Sequence, residues 1–185
     1  MNSSKKGIVV VVTASIAIYK ACDIVTHFIK KGFVVTVVMT KEATKFISPL
    51  VFQSLSKNKV YIDMFEEALP YDPKHIAIAE RADLILVVPA SANIIGKIAS
   101  GIMDDLASCV IFSCEKPVVF APAMNSTMYK NKIVQENIKT LEKLGYKFIG
   151  PQKGYLVCGK TDVGHIADTN EIIKTAERLL AVKRK

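Results

Sequence analysis

One short stretch, Pro122-Ala123-Met124-Asn125-Ser126-Thr127-Met128-Tyr129, places a single amide between two thioether side chains. It follows an apolar run, Pro117 to Ala121, that reads as a buried strand, and it precedes a helical pattern near Lys130. It therefore lies at the carboxyl end of a strand, where open α/β sheets bind ligands. Read locally, the same residues make a helix-start turn, with Asn125 as its cap and Met124 and Met128 on one helix face.

A second group of residues is suited to an anion. Ser15 sits in the turn Thr13-Ala14-Ser15-Ile16, between a strand and a helix. A hydroxyl together with free backbone N–H groups at a helix start can hold a phosphate, although serine there is also an ordinary N-cap. No G-x-G-x-x-G occurs, and the second strand ends in Thr40-Lys41 rather than in an acidic residue. A mononucleotide such as FMN fits this turn better than NAD. Pro89-Ala90-Ser91-Ala92-Asn93 ends another strand, and its small residues allow a planar ring to approach the backbone; Ser91 is equally a cap for the helix that follows. Two groups could move protons. His75 falls in the first turn of a short helix, and Cys158 lies in a stretch with three glycines in eleven residues, Gly154 to Gly164, the composition of a mobile loop or lid. Cys22, Cys109 and Cys114 read as buried structural thiols.

The elements that position these groups alternate strand and helix. Ile8 to Val12 is a continuous β-branched run, as in a strand covered on both faces. Ile18, Cys22, Val25, Phe28 and Ile29 share one helical face, closed by Lys30-Lys31-Gly32. Phe33 to Met39 is the second strand, which completes a βαβ unit. Thr40 to Ser56 reads as helical, with a break at Pro49. Leu84 to Val88 and Tyr146 to Ile149 are further strands. Helices follow Ser91, Asp104-Asp105 and Lys130, and a last one covers Asp168 to Leu180. The expected architecture is a single-domain, Rossmann-like, three-layer α/β fold with a mainly parallel sheet over residues 1–185, residues 1–6 and 182–185 forming flexible ends.

Composition narrows the function further. The chain has 185 residues, half of them hydrophobic and 23% charged, which suits one globular domain with a substantial core. Its net charge of +8 lies partly in Lys5-Lys6 and Lys183-Arg184-Lys185, with no basic stripe interleaved with aromatics, so no nucleic-acid partner is expected. A mildly basic surface suits an anionic small substrate. The four cysteines show no C-x-x-C spacing, and the three histidines do not join them in a metal pattern, so no metal is expected and a reducing, cytoplasmic location is. Leu84 to Ile102 is long and apolar, but Pro89, Asn93 and Lys97 interrupt it, so no membrane span is expected.

Taken together, Ser15-Ile16-Ala17 with Tyr19-Lys20, His75, Pro89 to Asn93, Pro122 to Asn125 with Met128, and Cys158-Gly159 resemble the flavin-dependent cysteine decarboxylase family. Within it they resemble the branch that decarboxylates 4′-phosphopantothenoylcysteine on the way to coenzyme A. The resemblance implies FMN, with contacts at Ala14, Ser15 and Ile16, at Thr40, at Ser91, Ala92, Asn93 and Ile94, and at Ala123. It implies His75 as base or orienting group, Asn125 with Met128 at the substrate, and Cys158 as proton donor. It also implies a homo-oligomer, a trimer or a multiple of trimers, with the cofactor where two subunits meet. Ala14 stands where the family often has glycine, Ile94 where it usually has threonine and Tyr129 where it often has tryptophan, and Lys160 to His165 is poorer in glycine and arginine. Many bacterial relatives are fused to a ligase domain, so the preceding ligation is expected from another protein. A peptidyl-cysteine decarboxylase, a flavin prenyltransferase and a non-catalytic regulatory flavoprotein are the alternatives.

Overall fold

The computed structural model describes residues 5–65, 74–157 and 159–181. Six strands form one parallel sheet: β1 (Gly7–Val12), β2 (Val34–Met39), β3 (Val60–Tyr61), β4 (Leu84–Ala90), β5 (Val118–Pro122) and β6 (Lys147–Phe148). Their order across the sheet is β3-β2-β1-β4-β5-β6. Succession reverses between β1 and β4, and the crevice beyond the carboxyl ends of those two neighbours is the ligand position that this topology creates.

The β-branched runs become central strands because both of their faces are covered. Alternate residues divide between two cores. Ile8, Val10 and Val12 pack with α1 (Tyr19–Lys30), α2 (Pro49–Ser56) and α8 (Thr169–Ala181), through side chains such as Phe28, Phe52 and Ile172. Val9 and Val11 face the other layer: α3 (Lys74–Glu80), α4 (Ala92–Ala99), α5 (Leu106–Phe112) and α7 (Lys132–Lys143). This is the expected three-layer arrangement with a parallel sheet.

Several expectations need revision. The stretch after β2 forms a 3-10 turn, Ala43–Lys45, and then α2, which Ser48 caps at Leu50 N–H with Pro49 in its first turn. Pro49 therefore starts a helix, where a missing N–H costs nothing, rather than breaking one. The helical pattern near Lys130 is two helices, α6 (Ser126–Lys130) and α7, separated by Asn131, whose side chain caps α7. The glycine-rich segment read as a mobile loop is an antiparallel hairpin of β7 (Gln152–Tyr155) and β8 (Thr161–His165). Cys22, Cys109 and Cys114 are half-buried rather than fully buried, and burial raises the Cys22 and Cys109 thiols above their ordinary range. The Lys6 ammonium donates to the Leu180 carbonyl at the end of α8. Among the described residues no helix is long and apolar enough to cross a membrane, and no cluster of His, Cys, Asp and Glu could hold a metal.

Candidate functional site

The carboxyl ends of β1, β4 and β5 meet around one buried threonine. Thr13 Oγ1 donates to Pro89 O at 2.7 Å and accepts Ser91 N–H at 2.9 Å. Thr13 is 1% exposed, so this clasp fixes the turn after β1 against the turn after β4 without competition from water. Ser15 Oγ then donates to Ala123 O at 3.2 Å, which ties the first turn to the end of β5. Three segments distant in sequence are thereby held together.

The resulting cavity has a volume of about 450 Å³, within the range of small-molecule sites. Its floor is Ala14, Ser15, Ile16, Ser91, Ala92 and Ala123. Met124, Asn125 and Met128 form one wall, and Tyr155, Leu156 and Val157 from the hairpin side form another. The Ser15 and Ser91 hydroxyls cap the helical segments that begin beside them, through Ala17 N–H at 3.4 Å and Ile94 N–H at 3.3 Å. Among the described residues the N–H groups of Ser15 and Ile16 have no acceptor, which leaves them available to an anion at this helix start. Alanines at 14, 92 and 123 leave room for a flat group to lie against the main chain. A phosphorylated, ring-bearing mononucleotide fits this donor set and shape.

Asn125 is the helix cap that its sequence context suggests, and it also lines the cavity. Its Oδ1 accepts Thr127 N–H at 2.8 Å, so it caps α6. That bond fixes the amide's orientation, and among the described residues Nδ2 has no hydrogen-bond partner. Met128 is 49% exposed rather than in the core, while Met124 is half-buried, so the two thioethers border the site instead of filling the interior.

The hairpin is docked on this wall. Met124 N–H donates to Gly164 O at 3.1 Å, and Lys130 Nζ lies 2.6 Å from Asp162 Oδ2. The Lys130 ammonium, followed by the Val163 N–H, holds the Asp162 carboxyl below its ordinary range.

Not every expected site residue converges here. Ile94 is buried under the floor and Asn93 is exposed, and neither lines the cavity. Thr40 borders a separate cleft with Lys41, Asp63 and Phe65, where its Oγ1 accepts Ala43 N–H at 3.2 Å. Lys97 bridges Asp104 and Asp105 at the rim of that cleft, and Asp105 caps α5 in a reciprocal box with Ser108. His75 is half-buried at the start of α3, outside the main cavity, and among the described residues its buried Nδ1 has no hydrogen-bond partner. Cys158 lies outside the described residues. Sequence reasoning placed Tyr155 and Gly164 in a candidate lid but gave no individual role to them, to Thr13 or to His165. The available signals were a hydroxyl at the end of an otherwise apolar strand and a glycine flanked by strand-forming residues.

Residues 1–181 match the family described as Flavoprotein. The coenzyme A biosynthesis bifunctional protein CoaBC of Bacillus subtilis is 43% identical over 178 residues, 96% of this chain and 44% of that protein. The chain thus spans less than half the length of that relative. A protein of Streptococcus mutans named probable phosphopantothenoylcysteine decarboxylase is 45% identical over 95% of this chain and 99% of its own length. Among solved structures, a PPC decarboxylase mutant complexed with pantothenoylaminoethenethiol superposes with a TM-score of 0.85 at 28% identity, covering 96% of this chain and 100% of the other. The FMN binding protein AtHal3 superposes with a TM-score of 0.83 at 27% identity, covering 98% and 100%.

Proposed function

The chain belongs to the Flavoprotein family, and on that premise we propose that it is an FMN-dependent decarboxylase that converts 4′-phosphopantothenoylcysteine to 4′-phosphopantetheine in coenzyme A biosynthesis. The names of the Bacillus and Streptococcus relatives and of the two solved structures support this reading. The observation that carries it is the convergence of the Ser15 turn, the Ser91 turn and Asn125 on one cavity.

The residues divide the work. The Ser15 and Ile16 N–H groups take a phosphate, and the alanine floor seats the flavin ring. Asn125 Nδ2 donates to the substrate carboxylate, with Met128 beside it. When bound, FMN supplies reversible hydride acceptance from the substrate's C–S unit, giving a thioaldehyde electron sink that a plain cysteine carboxylate lacks. Loss of CO₂ would then leave an ene-thiolate, which becomes the saturated thiol product by taking back that hydride and accepting a proton. Cys158 donates the proton, since a thiol with an ordinary pKa of about 8.5 is mostly protonated at neutral pH. Thr40, Asn93 and Ile94 complete the cofactor's surroundings in the loaded protein.

His75 serves the cavity of another copy. Its position outside its own chain's cavity supports a homo-oligomer, a trimer or a multiple of trimers, in which each site is completed across an interface. The working location is the cytoplasm.

The test is mass spectrometry of purified protein incubated with 4′-phosphopantothenoylcysteine and, separately, with a peptide ending in cysteine. The expected result is yellow protein that releases FMN on denaturation, with loss of CO₂ from the first compound alone. Loss from the peptide alone moves the assignment to peptide modification. Loss from neither, with FMN bound, overturns decarboxylation, and a protein that cannot be loaded with FMN overturns the reading as a whole.

A further inference from the structure

The serine and asparagine side chains of the cavity already use their acceptors. Ser15 Oγ and Ser91 Oγ each accept a helix N–H, and Asn125 Oδ1 accepts Thr127 N–H. What Ser91 and Asn125 offer a ligand is donation, while the Ser15 hydroxyl proton already goes to the Ala123 carbonyl. The tyrosine hydroxyls at the rim both donate and accept.

His165, which also lines the cavity, is the reverse. Its Nδ1 lies 2.9 Å from the Ile166 carbonyl oxygen. A carbonyl only accepts, so the proton is on Nδ1, and the neutral ring presents Nε2 as a lone pair. Among the described residues Nε2 has no hydrogen-bond partner, and it is not one of the buried unpartnered atoms. It is therefore open to the cavity or to water.

The ring is also held in place. Its flank rests on Gly154 of the partner strand, where an added Cβ would stand 2.8 Å from His165 Cγ and 2.9 Å from His165 Cβ. The preceding residue, Gly164, is bonded to Met124, so the His165 main chain is fixed beside the Asn125 turn.

We propose that His165 is a specificity-determining substrate contact. Its Nε2 accepts a hydrogen bond from an N–H or O–H of a ligand whose carboxylate is held by Asn125. The assignment rests on the decarboxylase reading and sharpens it: the substrate carries a donor on its acyl side as well as a carboxylate. An N-acylcysteine has this pairing, because its amide N–H sits on the carbon that bears the carboxylate. The analogue in which an ester oxygen replaces the cysteine nitrogen would lack it.

The test compares wild type with His165→Leu and His165→Gln in flavin-loaded, full-length protein. KM and kcat are measured with 4′-phosphopantothenoylcysteine. The dissociation constant is measured by calorimetry with the unreactive analogue that has alanine in place of cysteine. Loss of one neutral hydrogen bond predicts a rise of roughly three- to tenfold in both KM and the calorimetric constant for His165→Leu. The change should fall mainly on KM rather than kcat, and His165→Gln, which keeps an acceptor, should recover part of it. Unchanged constants in His165→Leu overturn the assignment. So does a fall in kcat alone, which would make the residue a proton carrier, or loss of flavin, which would make it a cofactor contact. Wild type that holds flavin but neither binds nor turns over these compounds overturns the decarboxylase reading itself, a result distinguishable from failure of the histidine variants alone.

Discussion

The carbonyl oxygen of Gly164 accepts the Met124 N–H at 3.1 Å, and a Cβ built on Gly164 would stand 2.3 Å from the Met124 carbonyl oxygen. The β7–β8 hairpin thus lies against the Asn125 turn with no space for a side chain. Gly164 also has φ of +134°, which L-residues rarely adopt. Backbone approach and conformation both require glycine here.

Gly164→Ala is therefore expected to displace the hairpin while leaving the six-stranded core intact. The strain is on the order of 1–3 kcal/mol, which lifting the hairpin relieves more readily than shifting the sheet does. The expected outcome is at least a tenfold fall in kcat/KM with circular dichroism unchanged. Wild-type kinetics in this variant would show that hairpin docking is unnecessary.

The Lys130–Asp162 pair fastens the same hairpin from solvent. Both residues are substantially exposed, so the pair adds little to global stability. Its role is local, and it depends on pH in a defined direction. The Lys130 ammonium and the Val163 N–H lower the native pKa of Asp162. The pair's contribution is therefore fully present above the ordinary Asp value of about 3.9 and is lost as pH falls through the lower native value. Pepsin cleavage between residues 155 and 161 is expected to have a constant intrinsic susceptibility down to about pH 4 and to rise below it. Asp162→Asn should abolish that rise and leave the hairpin equally susceptible throughout, with hardly any change in Tm. A charge swap, Lys130→Asp with Asp162→Lys, should restore protection. Identical cleavage profiles in all three proteins would remove the latch.

The sheet was legible because burial on both faces selects unbroken β-branched runs such as Ile8 to Val12, a pattern independent of context. The Ser15, Ser91 and Asn125 turns were legible because capping residues occupy strand-to-helix junctions. The hairpin was not. Gly154, Gly159 and Gly164 signal loop by composition, but two of them are demanded by what they touch: the His165 ring at Gly154 and the Met124 carbonyl at Gly164. Such contacts are properties of the folded chain. His165 was passed over for the same reason, since its tautomer and its place in the cavity depend on a carbonyl and a strand partner that sequence spacing does not reveal.

Thr13 tests the clasp beneath the site. Thr13→Val keeps shape and branching but leaves Pro89 O and Ser91 N–H without their partner. A buried group left unpaired costs about 1–3 kcal/mol. Tm should fall by several degrees, and flavin retention should fall with it as the first and second turns separate. Thr13→Ser, which keeps the hydroxyl, should retain flavin. Equal Tm and flavin content in Thr13→Val and wild type would mean that packing alone fixes these turns.

Asn125→Asp separates structure from chemistry at one position. Aspartate caps helices as well as asparagine does, and either of its oxygens can accept the Thr127 N–H now received by Oδ1. The fold and flavin content should therefore be unchanged, with Tm equal to or slightly above wild type. What changes is the outward atom: an Nδ2 donor becomes a second carboxylate oxygen, acceptor-only and negative at neutral pH. A substrate carboxylate then meets repulsion instead of a donor, in a cavity partly shielded from water. The expected loss in kcat/KM is at least a hundredfold, and lowering the pH toward the carboxylate range should recover some activity as the new side chain is neutralised. Wild-type turnover in this variant would mean that the substrate carboxylate lies elsewhere. A collapse in Tm would mean that the cap, rather than the donor, is what the position supplies.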